Sequence, residues 1–360
     1  MPRIVDVRAH PFSVALRRPF VTAVREVTTL EGLLVSAHDD DGRVGWGEVA
    51  TSWRVTGESR EGATAVLEHP LRESVLNLDT EDSAAWGQAV AGAVVHNTAA
   101  KSALDVALWD LHAQEKGRPL HSVIAPASQG TASTDMTVSA AEEPGVLDAA
   151  AARLAEGFGT LKIKLGRDGE RDDRVIRSLR AGPARDARLR VDANQGWSAA
   201  EAIRLIRGWE DDGLGIELVE QPTPAGDLGG LARVTAAVQT PILADESMWD
   251  ARDLRDIVRL QAADLLNLKL AKCGGMTPAL ELLDLAASAG VGVLIGSMLE
   301  SVVGVTAAAH LAATLPGMEH DLDAGLWLRE DPVAGGARYR AGDISLPQLP
   351  GLGLAMEMAL

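Results

Sequence analysis

The sequence predicts an α/β fold, a closed parallel barrel of βα units preceded by an α+β domain. Three observations predict it. From about residue 134 onward, short apolar segments recur at a spacing of roughly 25 to 30 residues, the length of one βα unit. Ionisable residues stand at the C-terminal ends of those segments, where barrel enzymes keep their chemistry. Residues 1–60 have a different rhythm, of strands and turns. A doubly wound open sheet is the structural alternative. No GxGxxG follows the first strand, which disfavours a dinucleotide-binding version of it.

Taken in order, Ile4 to Ser13 has strand character. Leu30–His38 (LEGLLVSAH) runs into Asp39-Asp40-Asp41-Gly42, and Val44–Glu48 (VGWGE) resumes, which predicts a hairpin with an Asp-Gly turn. From Gly62 to about Ile124 the pattern is helical. Thr98 is positioned to cap a helix whose Leu104, Ala107, Leu108 and Leu111 recur at helical spacing, and Gly117-Arg118-Pro119 stops it. The barrel strands are read at TDMTVS (134–139), TLKIKLG (160–166), RLRVDAN (188–194), IELVEQP (216–222), PILADES (241–247), DLLNLKL (264–270), GVLIGS (292–297) and HDLDAG (320–325). After Ala324 the rhythm stops, and the prolines and glycines there predict a return to the first domain. The expected division is 1–125, with about 326–360 returning to it, and 126–325 for the barrel.

The 360 residues suit one barrel plus a smaller domain. A net charge of −17 leaves no basic excess to neutralise phosphates, so a nucleic-acid partner is excluded. It does not exclude an anionic substrate, because a bound cation reverses the local sign. One cysteine, Cys273, allows neither an intramolecular disulfide nor a thiolate metal cluster and fits a reducing cytoplasm. The opening MPRIVDVRAHPFSVALRRPF holds no apolar run of signal-peptide length, and no stretch approaches about 18 consecutive apolar residues, so no membrane span is expected.

Three consecutive barrel segments end in a carboxylate: Asp192, Glu220 and Asp245. Like charges that converge repel unless a cation lies among them. Oxygen-only ligands favour a hard ion such as Mg²⁺, with Mn²⁺ the alternative. Each carboxylate alone reads more readily as a cap for the helix that follows; three in succession favour the metal. Lys162 and Lys164 flank Ile163 and share one side of their strand. Lys269 shares its side with Asn267, and its strand lies about half a barrel away, so Lys164 and Lys269 are expected to face each other across the mouth. Desolvation and a nearby cation lower a lysine's pKa enough to make it a base. A solvated, snorkelling lysine is the other reading, and it suits Lys272 better than Lys269. Asp321 and Asp323 share one face of the last segment and can bind an ammonium group; helix capping is the alternative.

The series KxK (162–164), DxNxxW (Asp192, Asn194, Trp197), EQP (220–222), DES (245–247) and NLKLAKCGG (267–275) resembles the enolase superfamily, muconate-lactonizing subgroup, in order over nearly the whole chain. The resemblance implies a modified (β/α)₇β barrel covered by an N-terminal α+β capping domain. It implies Mg²⁺ on Asp192, Glu220 and Asp245, acid/base roles for Lys164 and Lys269, and Lys162 assisting at the substrate carboxylate. Enolase-superfamily sites pair a Lys or His base with bound Mg²⁺, so this mechanism is the family's and not one read from spacing. KxK in place of KxH disfavours the mandelate-racemase branch.

Within the subgroup, DLDAG (321–325) is similar to the DxD of dipeptide epimerases, which implies that Asp321 and Asp323 bind the free ammonium of a dipeptide. PFVTAVREVTT and VTGES look like the capping loops of L-Ala-D/L-Glu epimerases, and GSMLES (296–301) fits too. Arg25 then meets the side-chain carboxylate of an acidic C-terminal residue, with Thr137 and Ser297 as further substrate contacts. The implied reaction is 1,1-proton transfer at the α-carbon of that residue, with L-Ala-L-Glu the first candidate. The implied partner is this small molecule alone, and barrels of this kind often associate into homo-oligomers. N-acyl or N-succinyl amino acid racemases, o-succinylbenzoate synthase and muconate-type cycloisomerases share the lysines and metal site without needing the aspartate pair. A non-catalytic carboxylate-binding homologue is the reading from another class, and the intact lysines argue against it.

Overall fold

A computed structural model describes residues 1–21, 26–139 and 142–355. The first strands are β1 (Ile4–Val21), β2 (Glu26–Asp39) and β3 (Val44–Val49), antiparallel in the order β1-β2-β3. Gly42, at φ +84°, turns the β2–β3 hairpin, as Asp-Gly predicts. β2 is buried on both faces from Gly32 to Ala37, a run of small and apolar residues interrupted only by Ser36. One side receives the helix Thr98–Glu115; on the other, Leu34 packs with Val302 and Val303 of the barrel.

Thr98 does not cap that helix. Asn97, at φ +53°, stands at its start without a side-chain capping bond. The Glu58 carboxylate instead accepts the amides of Ala99 and Ala100, each at 3.0 Å. A distant carboxylate answers the orphan donors, so local sequence cannot reveal the cap.

After the short β4 (Thr131–Ser133) come β5 (Met136–Val138), β6 (Thr160–Lys164), β7 (Arg188–Asp192), β8 (Ile216–Glu220), β9 (Ile242–Ala244), β10 (Leu265–Lys269) and β11 (Gly292–Gly296). β5 to β11 form one parallel sheet in sequence order, the curled α/β barrel expected. The eighth predicted strand is the exception. Only His320 and Asp321 join the ladder, bridging Thr134 and Gly296. Asp135 N–H donates to His320 O at 2.9 Å and Asp321 N–H to Ile295 O at 3.0 Å, and these bonds link the two edges of the sheet. Beyond them Ala324–Trp327 turns into a 3₁₀ helix. Asp323 leaves the ladder because its carboxylate binds Thr137 N–H and the Trp327 indole instead.

The residues after 326 touch both parts. Leu328 bridges Leu16 of β1, while Asp343–Ser345 pairs with β4 beneath the barrel. Inside the barrel, Leu218, Leu243 and Leu294 form an apolar floor with Leu265 and Met318 against them. Among the described residues no helix is long and apolar enough to cross a membrane.

Candidate active site

The strand period places Lys162 and Lys164 on one side of β6, and Leu161 and Ile163 in the core behind it. Pairing in register then sets Lys164 beside Asp192, and Asp192 beside Glu220. Asp245 follows one residue after β9. None of these carboxylates caps a helix. Ser198, Asp227 and Asp250 do that, accepting the amides of Glu201, Gly230 and Arg252. The capping alternative is therefore excluded.

The backbone just past these strands is held in an unusual form. Asn194 and Gln221 have φ of +41° and +35°, a region non-glycine residues seldom occupy and that surrounding bonds must enforce. Gln221 supplies such bonds. Its side-chain oxygen accepts Asp245 N–H at 2.9 Å and Ser247 N–H at 3.1 Å, and its amide donates to Ser247 Oγ at 2.7 Å. The Gln of EQP thereby locks the end of β8 to the DES segment, fixing Glu220 and Asp245 relative to each other.

The three carboxylates lie around the lysine ammonium groups, with Lys162 Nζ 2.7 Å from Glu220 and 3.5 Å from Asp192. Each is turned onto a lysine. Lys164 Nζ lies 2.5 Å from Asp192, Lys162 Nζ 2.7 Å from Glu220, and Lys269 Nζ 2.8 Å from Asp245. No group of three His, Cys, Asp or Glu side chains among the described residues is arranged as a metal cage. The cause is compensation: a buried carboxylate needs a partner, and ammonium groups provide it. Lys272 is one of them. It is 1% exposed, not a solvated strand-end lysine, and its Nζ lies 2.5 Å from Asp245. Its position, one helical turn after Lys269 on Leu270–Cys273, is the signal that could have revealed it.

Charge follows from this arrangement. Burial would lower Lys269, but Asp245 and Glu220 outweigh it and raise its pKa. Burial would likewise lower Lys162, and Asp321, Glu220 and Asp192 raise it. Burial, then Asp192, pushes Glu220 up to about 7, and burial, then Asp245 and Asp192, pushes Glu246 up to about 8.

A cation fits this set. The donors are all oxygens, they repel one another, and buried acceptors beside them have no partner: Glu246 Oε2, Asn194 Oδ1 and Asn267 Oδ1. Asn267 Nδ2 donates to Glu220 at 2.9 Å, and Asn194 N–H to Asp192 at 2.8 Å, so both amides border the carboxylates. Oxygen ligands of this kind select Mg²⁺ over softer ions.

Asp321 and Asp323 are buried and open into the same cavity as Lys164 and Lys269. Asp321 Oδ2 is 2.6 Å from Lys162 Nζ. Burial would raise Asp321, but Lys162, Lys269 and Lys164 hold it down at about 2. Asp323 Oδ2 accepts Thr137 N–H at 2.8 Å and the Trp327 indole N–H at 3.0 Å. Thr137 thus supports Asp323 through its backbone. Ser297 N–H donates to Asp321 O at 3.0 Å, and its side chain lines the cavity. Arg25 lies outside the described residues. Phe20, Val55, Met298, Leu299 and Trp327 form an apolar wall; the first four lie in the PFVTAVREVTT, VTGES and GSMLES segments, and Trp327 carried no motif in the sequence.

Residues 4–125 match the family described as "Mandelate racemase / muconate lactonizing enzyme, N-terminal domain", and residues 145–360 match "Enolase C-terminal domain-like". The chain is 39% identical over 354 residues to the L-Ala-D/L-Glu epimerase of Bacillus subtilis (strain 168), covering 98% of this chain and 96% of that protein. The solved substrate-liganded complex of the Bacillus subtilis L-Ala-D/L-Glu epimerase superposes with a TM-score of 0.95, covering 98% of each chain at 39% identity. The dipeptide epimerase of Enterococcus faecalis V583, complexed with Mg and the dipeptide L-Leu-L-Tyr, superposes with a TM-score of 0.94 at 33% identity, covering 98% of this chain and 100% of that one.

Proposed function

The chain belongs to the mandelate racemase / muconate lactonizing enzyme family, and from that premise we propose that it is a Mg²⁺-dependent dipeptide epimerase. One observation carries the reading. Lys164 on β6 and Lys269 on β10, with β7, β8 and β9 between them, open into one cavity that also holds Asp321 and Asp323. The relatives compared above are named as dipeptide epimerases, and the site's chemistry suits such a substrate.

The α-proton beside a carboxylate is weakly acidic, because its removal adds charge to an anion. Asp192, Glu220 and Asp245 would hold the Mg²⁺, which would supply positive charge against that carboxylate. Lys162 adds its own positive charge at the substrate carboxylate. Lys164 and Lys269 then stand on opposite faces of the α-carbon. One takes the proton, and the other returns one from the far side, which inverts the centre. Asp321 and Asp323 receive the ammonium of the first residue, one peptide bond away. Asp323 is the stronger contact, since Lys162 already engages Asp321.

Arg25 meets an acidic side chain on the second residue, which makes L-Ala-L-Glu the first candidate. Residues 1–125 act as the cap, joined by 326–360, over a barrel of 126–325; closure excludes water from the proton transfer. The test is a dipeptide library incubated with the Mg²⁺-loaded enzyme in D₂O and read by mass spectrometry. Deuterium at the α-carbon of the second residue, strongest with acidic residues there, is the expected result. No incorporation into any dipeptide would refute the reading.

A further inference from the structure

The loop Ser297–Leu299, which supplies Met298 and Leu299 to the cavity wall, runs directly into the helix Val302–Ala312. The start of that helix is held from the other domain. Glu48 on β3 accepts Ser301 N–H at 2.9 and 3.1 Å through its two oxygens, the Ser301 hydroxyl at 2.5 Å, and Gly304 N–H at 3.0 Å. Ser301 Oγ in turn accepts Val303 N–H at 3.2 Å. Glu48 and Ser301 together answer donors that a helix start leaves unpaired, and a carboxylate suits that end of the helix dipole.

The strand that carries Glu48 is packed tightly against the long helix. A Cβ at Gly45 would meet Ala107 O at 2.1 Å, and one at Gly47 would meet Ala103 O at 2.0 Å. The β3 backbone therefore lies directly on the helix Thr98–Glu115. Trp46 and Glu48, the alternate residues, face the barrel: Trp46 packs with Leu34, Val302 and Val303. Trp46 N–H also donates to Asp110 of the long helix at 2.8 Å. The VGWGE segment, packed on the helix, thus presents one buried carboxylate, 6% exposed, to the barrel.

We propose that Glu48 is a positioning residue: by holding Ser301 and Gly304 it fixes the Ser297–Leu299 wall, so that the seating of the capping domain sets how tightly the substrate binds. The proposal rests on the epimerase reading for its substrate. The proton-transfer lysines are held elsewhere, by Asp192 and Asp245, so loss of Glu48 loosens binding and spares the chemical step.

The test uses Glu48→Gln and Ser301→Ala in the full-length, Mg²⁺-loaded enzyme. Glutamine keeps the size of Glu48 but turns an NH₂ toward amide donors. Ser301→Ala removes the hydroxyl's bonds to Glu48 and from Val303 N–H and keeps the backbone bonds to Glu48. Glu48→Gln raises KM for the preferred dipeptide about tenfold with kcat within about twofold, and Ser301→Ala raises KM by a smaller factor. Without substrate, hydrogen–deuterium exchange of amides 297–304 accelerates in both variants while the barrel strands stay protected. Unchanged KM and unchanged exchange at 297–304 would overturn the proposal, as would a fall in kcat at constant KM. If Glu48→Gln does not fold, Ser301→Ala decides by the same two readouts. If the wild-type enzyme turns over no dipeptide, the epimerase reading fails, and the exchange of 297–304 still decides whether Glu48 positions the wall.

Discussion

The two ends of the barrel are built on the same strands and have opposite characters. On β8 the residue at the floor is Leu218 and the residue at the mouth is Glu220; in the next segment they are Leu243 and Asp245. Two positions separate each pair, one strand period on one face. The floor buries apolar side chains against one another, which stabilises the fold. The mouth buries four ammonium groups, on Lys162, Lys164, Lys269 and Lys272, among carboxylates. Desolvation of such pairs offsets much of their attraction. The barrel therefore keeps its stability below and its chemistry above, and each can be altered without the other.

The sharpest break lies at the mouth. Chelation by EDTA removes all turnover, and added Mg²⁺ restores it, as followed by polarimetry of the dipeptide. Lys164→Ala and Lys269→Ala each lower epimerisation on the order of 10³-fold or more; near-normal activity in either variant would count against two-lysine transfer. Asp323→Asn raises KM for dipeptides about tenfold but leaves an N-succinyl amino acid unaffected, because that compound has no ammonium to bind. At the floor, Leu218→Ala costs roughly 2–5 kcal/mol of stability in urea unfolding, while the folded variant keeps kcat within about twofold.

The smallest effect concerns pH. His310 is fully buried and accepts His121 N–H at 2.9 Å. Burial, then the neighbouring His121, lowers its pKa from 6.5 to about 3. Between those values the unfolded chain binds a proton that the folded chain refuses, so stability rises with pH across that window and is lost on acidification. His310→Asn flattens the slope of stability between pH 6.5 and 4; an unchanged slope would assign the acid sensitivity to other groups.

What could be read in the sequence divides along similar lines. Asp192, Glu220, Asp245, Lys162, Lys164 and Lys269 were visible because ionisable residues interrupt apolar strands at fixed places. The barrel was visible because its segments repeat. Contacts between distant segments were not: Glu58 capping the long helix, Gln221 locking two strand ends, and Trp327 bracing Asp323 each join residues that no local pattern links. Lys272 looks solvated in the sequence because its carboxylate partner, Asp245, comes from a distant segment. The segment at 320–325 was read as a full strand because its apolar–acidic alternation looks like one, although Asp323 is drawn away from the ladder by its own bonds.

The central claim is that two lysines on opposite faces of one carbon share the proton transfer. The most direct test is α-proton exchange with D₂O, measured separately for the two epimers of the preferred dipeptide in Lys164→Ala and in Lys269→Ala. The account predicts that each variant exchanges the proton of one epimer only, and that the two variants differ in which epimer they accept. Exchange of both epimers by a single variant, or of neither epimer by both variants, would contradict it.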